Sequence, residues 1–180
     1  MGDRVRNQDP ERFAQISDTV IAAAGAPGLD LNDEFAALEA IGNLGPKQVR
    51  ETLRKFLESD DAFVRQKAVL SLQRIPVEEA YPSFQNAIQS DVEETVRAAA
   101  AKLVGETRWA EGYPDLANAA QKDPSELVRM AAVAALGEWG PENEEAIQVL
   151  RSVVVHDPAE QVRDVAAQIL TAPEVERGEH

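Results

Sequence analysis

Apolar residues return along this chain at helical spacing. The clearest marker is the dipeptide Val-Arg, at Val64-Arg65, Val96-Arg97, Val128-Arg129 and Val162-Arg163, separated by 32, 32 and 34 residues. Four residues after each Val stands an alanine: Ala68, Ala100, Ala132 and Ala166. Eight after each Val stands a large apolar residue: Leu72, Val104, Leu136 and Leu170. Positions i, i+4 and i+8 of an α-helix drift by only about 80° of arc, so each trio is one apolar stripe. The small alanine at its centre lets a neighbouring helix approach closely.

Each stripe has a start signal. Asp91-Val92-Glu93-Glu94, Asp123-Pro124-Ser125-Glu126 and Asp157-Pro158-Ala159-Glu160 read as aspartate at the N-cap and glutamate three residues on, the pattern of a capping box. Pro124 and Pro158 then fall on the first helical position, where a missing N–H costs nothing. Ser59-Asp60-Asp61-Ala62 is a shorter version without the glutamate. Gly42, Gly105 and Gly137 supply stop signals. A second helix set precedes these, at about 47–58, 77–89, 111–121 and 143–155, with Tyr81-Pro82 and Tyr113-Pro114 again 32 apart and expected near the start of their helices, where proline is tolerable. Ala40-Ile41-Gly42 and Gly45-Pro46 echo Ala135-Leu136-Gly137 and Gly140-Pro141. Residues 33–43 and 10–24 therefore form a degenerate first hairpin, joined by a loop at 25–28, with Phe13, Ile16, Val20 and Ala24 on one face of its first helix.

A period of 32–34 residues is the mark of a repeat architecture. The Asp-rich turn, the Val-Arg pair, the following Ala and the Leu-Gly ending resemble HEAT repeats, and most closely the short subtype of phycobilisome-lyase-like proteins. The resemblance covers about residues 33–171, and its clearest copy is Asp123 to Gly137. It implies an all-α, right-handed α-solenoid of about five HEAT-like hairpins and about ten helices. The expected layout is one domain over 1–172, with repeats at about 10–43, 44–75, 76–106, 107–139 and 140–172. Residues 173–180 are expected to be a flexible tail and 1–9 to fray. An isolated hairpin of this kind leaves its apolar faces open, and stacking makes the core continuous. First helices are expected on the convex side and Val-Arg helices on the concave side. The resemblance also implies an aspartate–arginine ladder that stitches repeats together: Asp61 and Arg65, Asp91 and Arg97, Asp123 and Arg129, Asp157 and Arg163.

Composition narrows the chemistry. There is no cysteine, which removes disulfides, thiolate metal ligands and cysteine nucleophiles. Acidic residues outnumber basic ones 32 to 18, for a formal charge of −14. That charge favours solubility and disfavours nucleic acid as a partner. The polar N-terminus has no apolar core of a signal peptide, and no apolar run approaches a membrane span. A cytoplasmic location is expected, with no membrane contact.

Candidate sites are few. A guanidinium ladder can bind phosphates or carboxylates, but pairing with the turn aspartates is the structural alternative. His156 ends a helix and has only His180 for company, so a metal role has no ligand set; a histidine favoured by the helix dipole is the simpler reading. Glu142-Asn143-Glu144-Glu145 reads as an acidic first turn. Trp109 and Trp139 sit near turns, where they either pack or anchor a partner. No phosphate loop, nucleophile elbow or paired catalytic histidine and acid is present. No cofactor or catalytic residue is expected. Positions two and six after each Val point away from the apolar stripe: Gln66 and Leu70, Ala98 and Lys102, Met130 and Ala134, Asp164 and Gln168. A partner protein or peptide in the concave groove would meet these. The leading expectation is thus a protein-binding scaffold or adaptor. A chromophore lyase or lyase-like chaperone follows from the repeat subtype, and nucleic-acid binding ranks third. Oligomeric state stays open.

Overall fold

The computed structural model describes residues 53–140 and 143–172, excepting the Arg74 side chain. The expected first hairpin at 10–24 and 33–43, its loop and the tail at 173–180 lie outside the described residues. The chain divides into two compact units, Met1–Pro76 and Val77–His180. The boundary falls between the second and third expected repeats.

In the first unit, residues 53–57 are helical and α1 spans Ala62–Ser71, followed by a 3₁₀ turn at Leu72–Arg74. Asp61 is the N-cap of α1, its carboxylate accepting from the Phe63 N–H at 2.7 Å. Val64, Ala68 and Leu72 are buried, as the stripe requires.

The second unit holds three helical hairpins. They are α2 (Val77–Ser90) with α3 (Glu94–Thr107), α4 (Tyr113–Lys122) with α5 (Glu126–Gly137), and α6 (Glu144–His156) with α7 (Glu160–Thr171). A 3₁₀ turn at Ala110–Gly112 leads into α4. No strand occurs among the described residues. The fold is all-α, a solenoid of HEAT-like hairpins. Its core is the predicted stripe from each Val-Arg helix (Val96, Ala100 and Val104; Val128, Ala132 and Leu136; Val162 and Ala166) packed on Phe84, Leu116 and Leu150. α6 starts with Asn143 as N-cap, accepting from the Ala146 N–H, with Glu144 and Glu145 in its first turn. Carboxylates there complement the dipole.

Three local expectations are corrected. First, Asp91, Asp123 and Asp157 are not N-caps. The caps are Glu93, Ser125 and Ala159, two residues later. Each aspartate instead accepts from the N–H of that cap residue, at 2.9, 2.8 and 2.8 Å. Glu94, Glu126 and Glu160 consequently open their helices and form no capping box, and Pro124 and Pro158 lie just outside. The displacement has a cause at two of the turns: the Asp123 and Asp157 carboxylates also serve the preceding repeat. Second, Gly105 does not stop α3, which runs on to Thr107 and ends with Arg108 in the left-handed region, φ 49°. A Cβ at Gly105 would stand 2.5 Å from the Ala135 Cβ and 2.7 Å from its Cα. The glycine is there so that α5 can touch the backbone of α3. Third, Pro82 lies inside α2, beyond the first turn, whereas Pro114 falls at the start of α4. The 3₁₀ turn before α4 occupies the register of Glu78–Ala80 in α2.

Gly105→Ala tests the close approach. In an open helix this change stabilises by about 1 kcal/mol. Here the new methyl has backbone to displace, and a net loss of about 2 kcal/mol is expected in thermal or urea unfolding.

Candidate functional site

The four Val-Arg arginines share one geometry. Each donates from one terminal nitrogen, Nη1, to two carbonyls of the turn before its own helix. Arg65 reaches the oxygens of Ser59 and Asp60, at 2.8 and 3.1 Å. Arg97 reaches Asp91 and Val92, at 2.9 and 3.2 Å. Arg129 reaches Asp123 and Pro124, at 3.0 and 3.2 Å. Arg163 reaches Asp157 and Pro158, at 2.7 and 3.1 Å. A turn that bends two carbonyls inward needs a donor there, and the arginine six positions beyond the first of them supplies it.

The opposite edge of the guanidinium points to the next repeat. Arg97 grips Asp123 through Nε and Nη2 at 2.8 and 3.0 Å, and Arg129 grips Asp157 at 2.8 and 3.1 Å. These are parallel two-pronged bonds, the strongest pairing the two side chains can make. The Arg129 and Asp157 side chains are 8% and 2% exposed. Burial pushes the Asp157 carboxyl up. Hydrogen bonds from Arg129 and the Ala159 N–H, with the charges of Arg129 and Arg163, outweigh that and hold it below its ordinary value. Hydrogen bonding to Asp123 and to Asp157 likewise holds the Arg97 and Arg129 guanidinium groups above theirs, against the opposing effect of burial. The ladder therefore runs from an arginine to the aspartate of the following turn, and the arginine stays charged. Asp61 caps α1, and Asp91 braces its own turn through Glu93.

The other candidate residues take equivalent positions on the Val-Arg helices. On α3, α5 and α7, Lys102, Ala134, Asp164 and Gln168 are exposed and Met130 is half-buried. Lys102 lies 3.7 Å from Glu106 on its own helix. Ala98 is corrected: it is buried, its methyl too short to emerge between neighbours, and it offers a partner almost no surface. Gln66 and Leu70, in the first unit, are half-buried.

A polar cluster passed unnoticed in the sequence. Asp115, at the start of α4, is buried and accepts from the Tyr81 hydroxyl, from Gln85 Nε2 at 3.1 Å and from Gln89 Nε2 at 2.6 Å. Burial, then the Asp115 hydrogen bond and charge, pushes the Tyr81 hydroxyl far above its ordinary value. The signal was available: Tyr81, Gln85 and Gln89 form an i, i+4, i+8 row on α2. Trp139 packs on Tyr113 with ring centroids 5.7 Å apart, while its indole N–H is buried without a partner. Trp109 is half-buried. His156 ends α6, with Nδ1 3.0 Å from the Ser152 carbonyl. No group of three or more His, Asp or Glu that could hold a metal ion is present among the described residues.

A family model described as HEAT repeats matches residues 32–105 and 84–171, more than half of the chain. The chain belongs to the HEAT-repeat family. No curated protein matches the sequence. Among solved structures, this HEAT-repeat chain is similar to one in the complex of CpcE and CpcF of phycocyanin lyase from Nostoc sp. PCC7120. The TM-score is 0.68 and identity 20%, covering 88% of this chain and 99% of that one. At that identity the likeness is one of fold. No helix among the described residues is long and apolar enough to cross a membrane.

Removing one partner of a buried ion pair strands the other charge. Arg129→Gln is expected to cost about 3 kcal/mol in urea unfolding. The Asp157 carboxyl titrates lower folded than unfolded, so its stabilisation is full above the unfolded value and lost as pH falls through the folded one. Below the ordinary carboxylate value of 3.8, the melting temperature of the native protein should fall more steeply than that of Asp157→Asn.

Proposed function

We propose that this HEAT-repeat protein is a non-catalytic scaffold that binds a partner protein or peptide along the face carried by its Val-Arg helices. The observation that carries the reading is the row of Lys102, Met130, Ala134, Asp164 and Gln168, exposed or half-buried in matching register on the three Val-Arg helices α3, α5 and α7. Stacked repeats present such rows as extended binding surfaces. The row is mixed in chemistry. Met130 and Ala134 give an adaptable apolar centre, and Lys102 and Asp164 give charges of opposite sign that fix a ligand's direction. Phosphate binding by the ladder is disfavoured, because the two-pronged edges of Arg97 and Arg129 are taken by Asp123 and Asp157. With a net charge of −14, nucleic acid is not the expected ligand.

The test is a comparison of the native chain with a Met130→Glu, Ala134→Glu double variant as baits in host lysate. Circular dichroism and melting must first be unchanged. Retention of a partner by the native chain and at least tenfold weaker recovery by the variant is the expected result. Equal recovery on both baits would move the site off this face.

A second reading has its own support in the fold likeness to the CpcE–CpcF phycocyanin lyase complex. In it, the chain is a chromophore-lyase-like or chaperone subunit, and its ligand includes a bilin. Titration with free bilin, alone and with a second repeat subunit, separates the readings. A shift in the bilin absorption band supports the lyase-like role, and an unchanged band leaves the scaffold.

A further inference from the structure

The hairpin α6/α7 differs from the two before it on the side facing away from α4/α5. Along the solenoid, each position can be followed from repeat to repeat. Ile88 and Ala120 are buried, and Val154 in the same register is half-buried. Ala101 and Val133 are wholly buried, whereas Ala167 is half-buried. Val104 and Leu136 are wholly buried, and Leu170 is half-buried. Gln89 of α2 reaches across to Asp115 of the next hairpin, and its counterpart on α6 is Val155, an apolar side chain 69% exposed. This face is apolar.

Arg163 makes the two carbonyl bonds that every Val-Arg arginine makes. Its Nε and Nη2, the edge that in Arg97 and Arg129 takes a turn aspartate, meet no carboxylate among the described residues. The two interfaces inside this unit show what fits such a face: a helical hairpin whose turn carries an aspartate, 26 or 28 positions beyond the arginine it meets.

We propose that the outer face of α6/α7 is a docking surface for a HEAT-type helical hairpin of a partner protein, whose turn aspartate closes on Arg163. Val154, Val155, Ala167 and Leu170 supply the apolar area, and the Arg163 fork sets register and orientation. Thr171 stands where Gly105 and Gly137 stand in the other repeats, so the incoming helix sits farther out at that end. This surface is distinct from the Val-Arg helix row, and either can fail without the other.

The probe is the chain's own hairpin. A second copy of residues 139–172 is joined directly after Ala172 of the full chain, which puts the copied Asp157 at the ladder spacing from Arg163. A melting temperature raised by about 5 °C or more is expected. Arg163→Gln should lower it further in the extended chain than in the parent, and Asp→Asn at the copied Asp157 should erase that excess. An unchanged melting temperature, or equal effects of Arg163→Gln in both chains, overturns the proposal. A photocrosslinking residue at Val155 of the parent, in host lysate, then reads the natural occupant. Crosslinks to a helical-repeat turn bearing aspartate, weakened by Arg163→Gln and absent from the extended chain, support it. Crosslinks to a second copy, to residues 173–180, or to nothing overturn it.

Discussion

The interaction on which the second unit depends is the two-edged arginine. One edge neutralises the inward carbonyls of its own turn, and the other holds the carboxylate of the next. A turn with two carbonyls facing the interior is costly alone, and so is a buried carboxylate. Each Val-Arg arginine cancels the first cost, and Arg97 and Arg129 also cancel the second. Because the same aspartate braces the cap N–H of its own helix, every junction couples a helix start to the preceding repeat. This explains why the aspartates stand two residues outside the caps. An N-cap carboxylate folds over its helix end, whereas this one must also face sideways.

The ladder also tolerates a change in repeat length. Arg97 and Asp123 are 26 positions apart, and Arg129 and Asp157 are 28 apart, yet both pairs close at 2.8 Å. The additional residues are absorbed between α5 and α6, where Gly140 takes φ +77° with nothing within 4 Å of where its Cβ would be. Helix packing, meanwhile, rests on small residues. α5 meets α3 at Gly105 through Ala135, and α7 meets α5 at Gly137 through Ile169. The few large aromatics are placed elsewhere: Phe84 in the core, Tyr81 on the buried Asp115, and Tyr113 against Trp139.

Internal pairing shapes what is left for binding. The guanidinium forks of Arg97 and Arg129 are turned inward, so in the proposed scaffold reading a partner meets Lys102, Met130 and Ala134 in place of an arginine array. The proposed second contact, at the outer side of α6/α7, repeats the internal pattern of stripe and fork, with no partner among the described residues. A repeat protein can recognise by the same physics that folds it, since an interface between repeats and one between chains differ only in connectivity.

The sequence by itself determined the elements and their repetition. Val at i, Ala at i+4 and Leu or Val at i+8 name the buried side of each helix, because helical periodicity is a local property. Arg65, Arg97, Arg129 and Arg163 were legible as a set for the same reason. What they hold was not: whether Arg129 meets Asp123 or Asp157 depends on which turn lies beside it in space. The same limit hid the Asp115 cluster, whose donors are 26 to 34 positions away. It also disguised Gly105, which resembles a helix stop but is a contact point for Ala135. Ala98 reads as a surface position by angle alone and is buried by what surrounds it. Periodicity fixes direction around one helix axis, and only tertiary packing decides what stands in that direction.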